Sequence, residues 1–280
     1  MDTTTGGGSE ANLDRVQALL NYLADRSERP VAYQYEPPGG VPIRSARSVK
    51  ESMTILNGRA VAKQLTLDRQ GFELVNHETA VQDFYDDVEV KAVYYPELAE
   101  LVKKAAGAKW VVVFDHNVRN GPKVPERKPG IREPVRFAHN DYTLKSGPQR
   151  VRDLLGDEAE ELLRHRFAVI NVWRSIAGPI LESPLAVCDA QSMKLEDFVG
   201  TDLKYPDRTG EVYSVAYNPN HRWYYFPKMR KDEALLLKCY DSATDGRARF
   251  TAHTAFEDPN SPADAPYRES IEARTLVFFR

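Results

Sequence analysis

The stretch RFAHNDYTL, residues 136 to 144, sets an imidazole and a carboxylate two positions apart in what reads as a strand. Side chains alternate along a strand, so His139 and Asp141 share one face while Asn140 and Tyr142 take the other. A histidine and an aspartate side by side make two arms of a chelate. Two histidines and one carboxylate on one face of an octahedron leave three positions open, the donor set of non-haem Fe(II) oxygenases. Taken alone, an H-x-D is weak. A polar strand end with His139 satisfied by hydrogen bonds explains it better, and a third ligand must come from elsewhere.

The C-terminal stretch RFTAHTAFEDPNSPADAPYRESIEARTLVFF contains His253 and, fifteen positions on, Arg268. The planar guanidinium fork suits carboxylate recognition. On a strand beside a metal, Arg268 would anchor the far carboxylate of a 2-oxo acid whose other end chelates the ion. Ser270 shares that face and offers a hydroxyl. Arg274, six residues further, also keeps to that face, but the spacing from His253 favours Arg268 as the principal anchor.

The order H-x-D, a distant His, then Arg resembles Fe(II)/2-oxoglutarate-dependent dioxygenases. The segments AHNDYT, INVWRSIAGPILESPLAVCD, YNPNHRWYYFPKMRKDEALLLKCYDS, AHTAFEDP and YRESIEARTLVFF are similar to the AsaB-like hydroxylase/desaturase group, which includes fungal gibberellin desaturase. They run from Arg136 to Phe279, roughly half the chain. The resemblance implies a mainly β fold, a double-stranded β-helix (jelly-roll, cupin-like) with flanking helices. It implies Fe(II) held by His139, Asp141 and His253, and 2-oxoglutarate held by Arg268. It also implies O2 consumption, release of succinate and CO2, and hydroxylation or desaturation of a small secondary metabolite.

Other residues allow two readings. In NVWRSI, Asn171 and Trp173 share a face and Val172 and Arg174 the opposite one; Asn171 or Arg174 would bond the oxo acid or the substrate, or Trp173 would fill the core with Arg174 paired at the rim. Tyr142 lies close enough to Asp141 to reach a substrate. The aromatic run NHRWYYFPKM lines a pocket or packs the core. Asp115 and His116 are adjacent, face opposite ways on a strand and chelate poorly. His221, in a turn after Asn-Pro-Asn, is expected at the surface, as are His77 and His165.

The chain has 280 residues, 42% hydrophobic and 28% charged, enough apolar content for a substantial core. A net charge of −3 provides no basic footprint for nucleic acid. The basic stretch from Arg119 to Arg132, broken by Pro and Gly, reads as an exposed loop. Two cysteines, Cys188 and Cys239, with no CxxC, argue against a disulfide framework or a zinc site and read as buried thiols. No apolar run approaches the ~20 residues of a membrane span, and the N-terminus has no signal-peptide core. A cytoplasmic enzyme with a small-molecule substrate is expected, without nucleic-acid or membrane partners, its oligomeric state open with a homodimer allowed. The rivals are a cupin-like hydrolase or isomerase using the same triad without an oxo acid, a non-catalytic binding barrel, and a nucleic-acid demethylase.

These residues need a scaffold. Residues 1–10 are expected as a disordered tail and 11–280 as one oxygenase domain. Leu13, Val16, Leu20 and Leu23 recur at three and four, which predicts an amphipathic helix. AKQLTL and FELV predict strands, ETAVQDFYD and YPELAELVKKAAGA helices, KWVVVFDHNVRN, VRFAHNDYT and FAVINVWRSI strands, and 148–166 a charged helix. Beyond that, short strands such as PLAVCD, EVYSVAYN, HRWYYFP, ALLLKCYD and RTLVFF recur between turn residues, the texture of a sandwich or barrel.

Overall fold

The computed structural model describes residues 14–120 and 131–280; the expected N-terminal tail and most of the basic loop lie outside the described residues. Strands β1 (Arg15–Leu23), β2 (Val31–Tyr33), β3 (Ser48–Asn57) and β4 (Phe72–Asn76) open the chain. Helices α1 (Asp87–Glu89) and α2 (Tyr95–Ala106), linked by a π turn, lead into β5 (Trp110–Asn120). A two-residue strand β6 (His139–Asn140) precedes helices α3 (Ser146–Leu155) and α4 (Ala159–Leu163). The remainder is β: β7 (Phe167–Ser175), β8 (Leu185–Cys188), β9 (Phe198–Lys204), β10 (Thr209–Val215), β11 (Trp223–Tyr225), β12 (Glu233–Asp241), β13 (His253–Ala255) and β14 (Glu269–Phe278).

Two sheets result. One has nine strands in the order β1-β3-β11-β8-β13-β6-β10-β9-β2; the other has five, β4-β12-β7-β14-β5. The five-stranded sheet is antiparallel throughout. Its inner face places Trp173, Leu235, Leu237 and Leu276 against Leu185, Val187, Tyr213 and Tyr224 of the larger sheet. Its outer face, with Ile170, Val172, Leu236 and Ala273, is covered by Val90, Tyr94, Leu98 and Val102 of the α1–α2 region. Leu98 and Val102 sit four apart on one face of α2, as a helix on a sheet requires. Pro96 lies in its first turn, and Gly107 ends it in the left-handed region at φ 65°. Both faces of β7 and β12 are buried, which explains the apolar runs FAVI and ALLL within them.

Several local expectations are corrected. Of the residues read as a first helix, Leu13 lies outside the described residues and Val16, Leu20 and Leu23 belong to β1, whose alternation buries Val16, Ala18, Leu20 and Tyr22 and leaves Leu19 exposed. A period of two in RVQALLNYL won over the period of three and four because β3 pairs along its whole length. AKQLTL is not a strand: Gly58–Gln64 is a 3-10 helix running into a loop. ETAVQDFYD is not a helix, because its acids and the nearby Glu89 bind local backbone instead. Asp83 accepts from Tyr85 N, Asp86 from Val88 N, and Glu89 from Gln82 N and Asp83 N. The charged helix 148–166 breaks at Gly156, at φ 50°, into α3 and α4. The VRFAHNDYT strand shortens to β6, since the Asn140 amide bonds Tyr142 O and turns the chain out of the ladder.

Candidate active site

His139 of β6 and His253 of β13 are direct cross-strand partners in the larger sheet. Their rings approach to 4.4 Å between centroids. Asp141 follows in the bend after β6, with Oδ1 3.5 Å from His139 Nε2. One ligand atom from each of the three lies within 4.8 Å of the other two.

Both imidazoles are oriented from behind. His139 Nδ1 lies 2.7 Å from Phe137 O, and His253 Nδ1 lies 3.1 Å from Thr251 O. When Nδ1–H donates to a carbonyl, Nε2 carries the free lone pair, the tautomer a metal needs. His253 Nε2 is buried and has no partner among the described residues. Burial, then the charge of His139, lowers His253 to about 4, so its ring is neutral at physiological pH. Burial pushes the Asp141 carboxyl up, but the Arg274 charge and the hydrogen bond from His139 outweigh it and hold the group well below the usual carboxylate range.

The five-stranded sheet orients the aspartate. Asp141 Oδ2 accepts from Asn171 Nδ2 at 2.8 Å and from Arg274 Nε at 3.2 Å. Asn171 also donates to Glu272 Oε1 at 3.0 Å. Arg274 turns its remaining nitrogens to Asp115 at 3.0 Å and Glu272 at 3.4 Å. The Asn117 amide oxygen, in the orientation that satisfies both groups, accepts from Arg274 at 2.7 and 2.9 Å. Burial and the neighbouring Asp141 charge push the Glu272 carboxyl up.

Arg268 sits just before β14, 2% exposed, with its guanidinium carbon 5.4 Å from the Trp173 ring centre. Its Nη1 donates to Ser183 O at 2.6 Å, while its Nε and Ser270 Oγ are buried without partners. A cavity of about 1500 Å³ opens over His139 and Asp141, with Tyr142, Arg119 and Arg274 also on its wall. His253, Asn171, Trp173, Arg268 and Ser270 do not line it.

The structure therefore brings together His139, Asp141, His253, Asn171 and Arg274, with Arg268 and Ser270 along the same inner face of β14. Arg174 is a correction: it lies on the outer face of β7, fully buried, bonding His77 Nδ1 at 2.9 Å with its guanidinium carbon 5.4 Å from the Tyr94 ring centre. Trp173 underlies Arg268 rather than facing the cavity. His221 is buried, not exposed, with Nε2 3.2 Å from Asp197 Oδ2. Asp115 and His116 do face opposite ways, Asp115 to Arg274 and His116 to Tyr95 Oη at 3.0 Å. Arg119 belongs to β5, not to an exposed loop. Sequence reasoning missed Asn140, Glu272 and Arg119. Counting in twos back from Arg274 finds Glu272.

The family model described as Oxidoreductase/YMDC permease-like domain matches residues 20–278. The alpha-ketoglutarate-dependent dioxygenase phiK of Fungal sp. is 34% identical over 279 residues, covering 96% of this chain and 98% of phiK.

The chain belongs to the Fe(II)/2-oxoglutarate-dependent dioxygenases.

The hydroxylase/desaturase efuI of Hormonema carpetanum is 37% identical to this dioxygenase over 238 residues, 77% of this chain and 79% of efuI. Among solved structures, the iron and alpha-ketoglutarate-dependent endoperoxidase NvfI superposes with a TM-score of 0.85 at 27% identity, covering 95% of this chain and 98% of NvfI. The expected double-stranded β-helix is thereby borne out, as is the AsaB-like branch, and Fe(II), 2-oxoglutarate and O2 are the dioxygenase's cofactor and co-substrates. No described helix is long and apolar enough to cross a membrane.

Proposed function

We propose that this dioxygenase hydroxylates or desaturates a small natural product, with His139, Asp141 and His253 as iron ligands and Arg268 and Ser270 as the 2-oxoglutarate anchor. The observation that carries the reading is the buried, unpartnered Nε2 of His253 facing His139 and Asp141. A buried acceptor without a partner costs about 1–3 kcal/mol, and a ligated metal removes that cost. Arg268 Nε and Ser270 Oγ, also buried and unpartnered, suit the oxo acid's far carboxylate in the same way. Arg274 is less suited as the anchor, because its nitrogens already go to Asp141, Asp115, Glu272 and Asn117.

When bound, iron and 2-oxoglutarate supply an O2-dependent two-electron oxidation that releases succinate and CO2. The chain's residues supply position. The backbone carbonyls of Phe137 and Thr251 hold the imidazoles; Asn171 and Arg274 fix one oxygen of Asp141 and leave the other for the ion. Tyr142, beside Asp141 on the cavity wall, meets the substrate. Residues 11–280 act as one domain, supported by sheets that interleave strands from both halves of the chain. Free, buried Cys188 and Cys239 suit a reducing, cytoplasmic compartment.

The test is oxo-acid turnover across a panel of candidate natural products. Succinate release should require Fe(II), and His253→Ala or Asp141→Asn should abolish it. Succinate formation by either variant at the parent rate would refute the ligand assignment.

A further inference from the structure

The reading of Arg268 as anchor leaves one cation of the site unexplained. Arg119 stands on β5 directly across from Ser270 on β14. It shares the inner face with Asn117 and Asp115 and forms part of the cavity wall. The one hydrogen bond of its side chain among the described residues is from Nη1 to the Glu133 carbonyl at 2.8 Å, and no described carboxylate lies in ion-pair range. Glu272, on the same face of β14, and Asp141 act on its charge from beyond ion-pair range, and its own charge opposes that of Arg268 at the anchor end.

Two guanidiniums facing one region repel each other, and burial already disfavours both charges. Such a pair is stable when an anion lies between them, and the buried donors Arg268 Nε and Ser270 Oγ mark where it would lie. 2-Oxoglutarate is a dianion, and its charge would offset both cations.

We infer that Arg119 is a second co-substrate-binding residue, which flanks the oxo acid between Arg268 and the iron and closes that site off from the substrate cavity. Arg119 thus marks the border between the two. On its cavity side it faces whatever substrate is bound; on its inner side it faces the dianion.

The experiment is anaerobic titration of the Fe(II)-loaded full chain with 2-oxoglutarate, followed by the visible iron-to-oxo-acid charge-transfer band, with iron affinity measured separately. Arg119→Gln should weaken 2-oxoglutarate binding by roughly 10- to 100-fold, the range of a lost charge-assisted hydrogen bond. Iron affinity should stay within about twofold of the parent, the change expected of a residue outside the ligand set. Arg119→Lys, which keeps the charge, should recover at least part of the affinity. Arg268→Gln is the control for the underlying reading. If Arg268→Gln weakens the oxo acid and Arg119→Gln does not, this inference is wrong and the anchor reading stands. If Arg268→Gln has no effect on binding, the anchor reading itself fails. A joint loss of iron and oxo acid in Arg119→Gln would also overturn the inference, by showing a general structural role.

Discussion

Replacing Arg274 by Met keeps the aliphatic stem and removes the guanidinium that lies between two buried carboxylates, Asp141 and Glu272, with Asp115 at the edge. Removing one partner of a buried ion pair costs about 3–5 kcal/mol, because the remaining charge is left uncompensated. For a chain of this size each kcal/mol moves the melting temperature by roughly 2–4 °C. The metal-free R274M protein should therefore melt on the order of 10 °C below the metal-free parent. Two further measurements separate electrostatics from lost packing. Adding Mn(II) places positive charge beside Asp141 and should narrow the gap between variant and parent. Adding Glu272→Gln in the R274M background removes one of the stranded carboxylates and should restore about half the loss, a coupling expected of residues in contact. Thermal scans of the four metal-free combinations, repeated with Mn(II), provide the data. A metal-free R274M that melts within about 2 °C of the parent, or a double variant no better than R274M, would refute the reasoning.

Three further outcomes are expected. The folded-state pKa of His253 is depressed to about 4 in the metal-free protein, so its contribution is complete above its ordinary ~6.5 and is lost as pH falls toward 4, on the order of 3 kcal/mol in all. Urea melts of metal-free protein between pH 7 and 4 should show that loss, and an equal slope in His253→Gln would rule the ring out as its source. At Gly71, φ is +88° and an added Cβ would collide with Thr251 Oγ1. Gly71→Ala should cost 2 kcal/mol or more by overpacking and strain and should weaken metal binding through the Thr251 carbonyl behind His253; a variant with unchanged stability and metal affinity would contradict this. Tyr94 Oη is buried with no partner among the described residues, so Tyr94→Phe should be neutral or stabilising by up to about 1 kcal/mol. A clear loss of stability would show that the phenol has a partner.

The site was legible in the sequence where chemistry and strand alternation coincide. His139 and Asp141 stand two apart, and polar groups repeat at even spacing from Arg268, just before β14, to Ser270 and Arg274 within it. What escaped depends on long-range pairing. Nothing near Asn140 reveals that its amide meets Cys239 O and Thr251 N, 99 and 111 positions away. Arg119 looked like the start of a charged loop because its partner strand lies 150 residues downstream. Arg174 misled because both faces of β7 are buried, so alternation separates two interiors instead of inside from outside. The β1 segment fitted either period, and only the pairing with β3 decides between them.

Asn140 has a consequence for how the centre comes together. The two imidazoles belong to one sheet, while the side chains that steady the aspartate, Asn171 and Arg274, belong to the other. The Asn140 amide joins the bend after His139 both to β12 and to the residue two before His253. An ion held by His139, Asp141 and His253 would tie the two layers of the sandwich together through these residues. Loading it should slow amide exchange in β7 and β14, which supply no ligand, as well as in the segments that do.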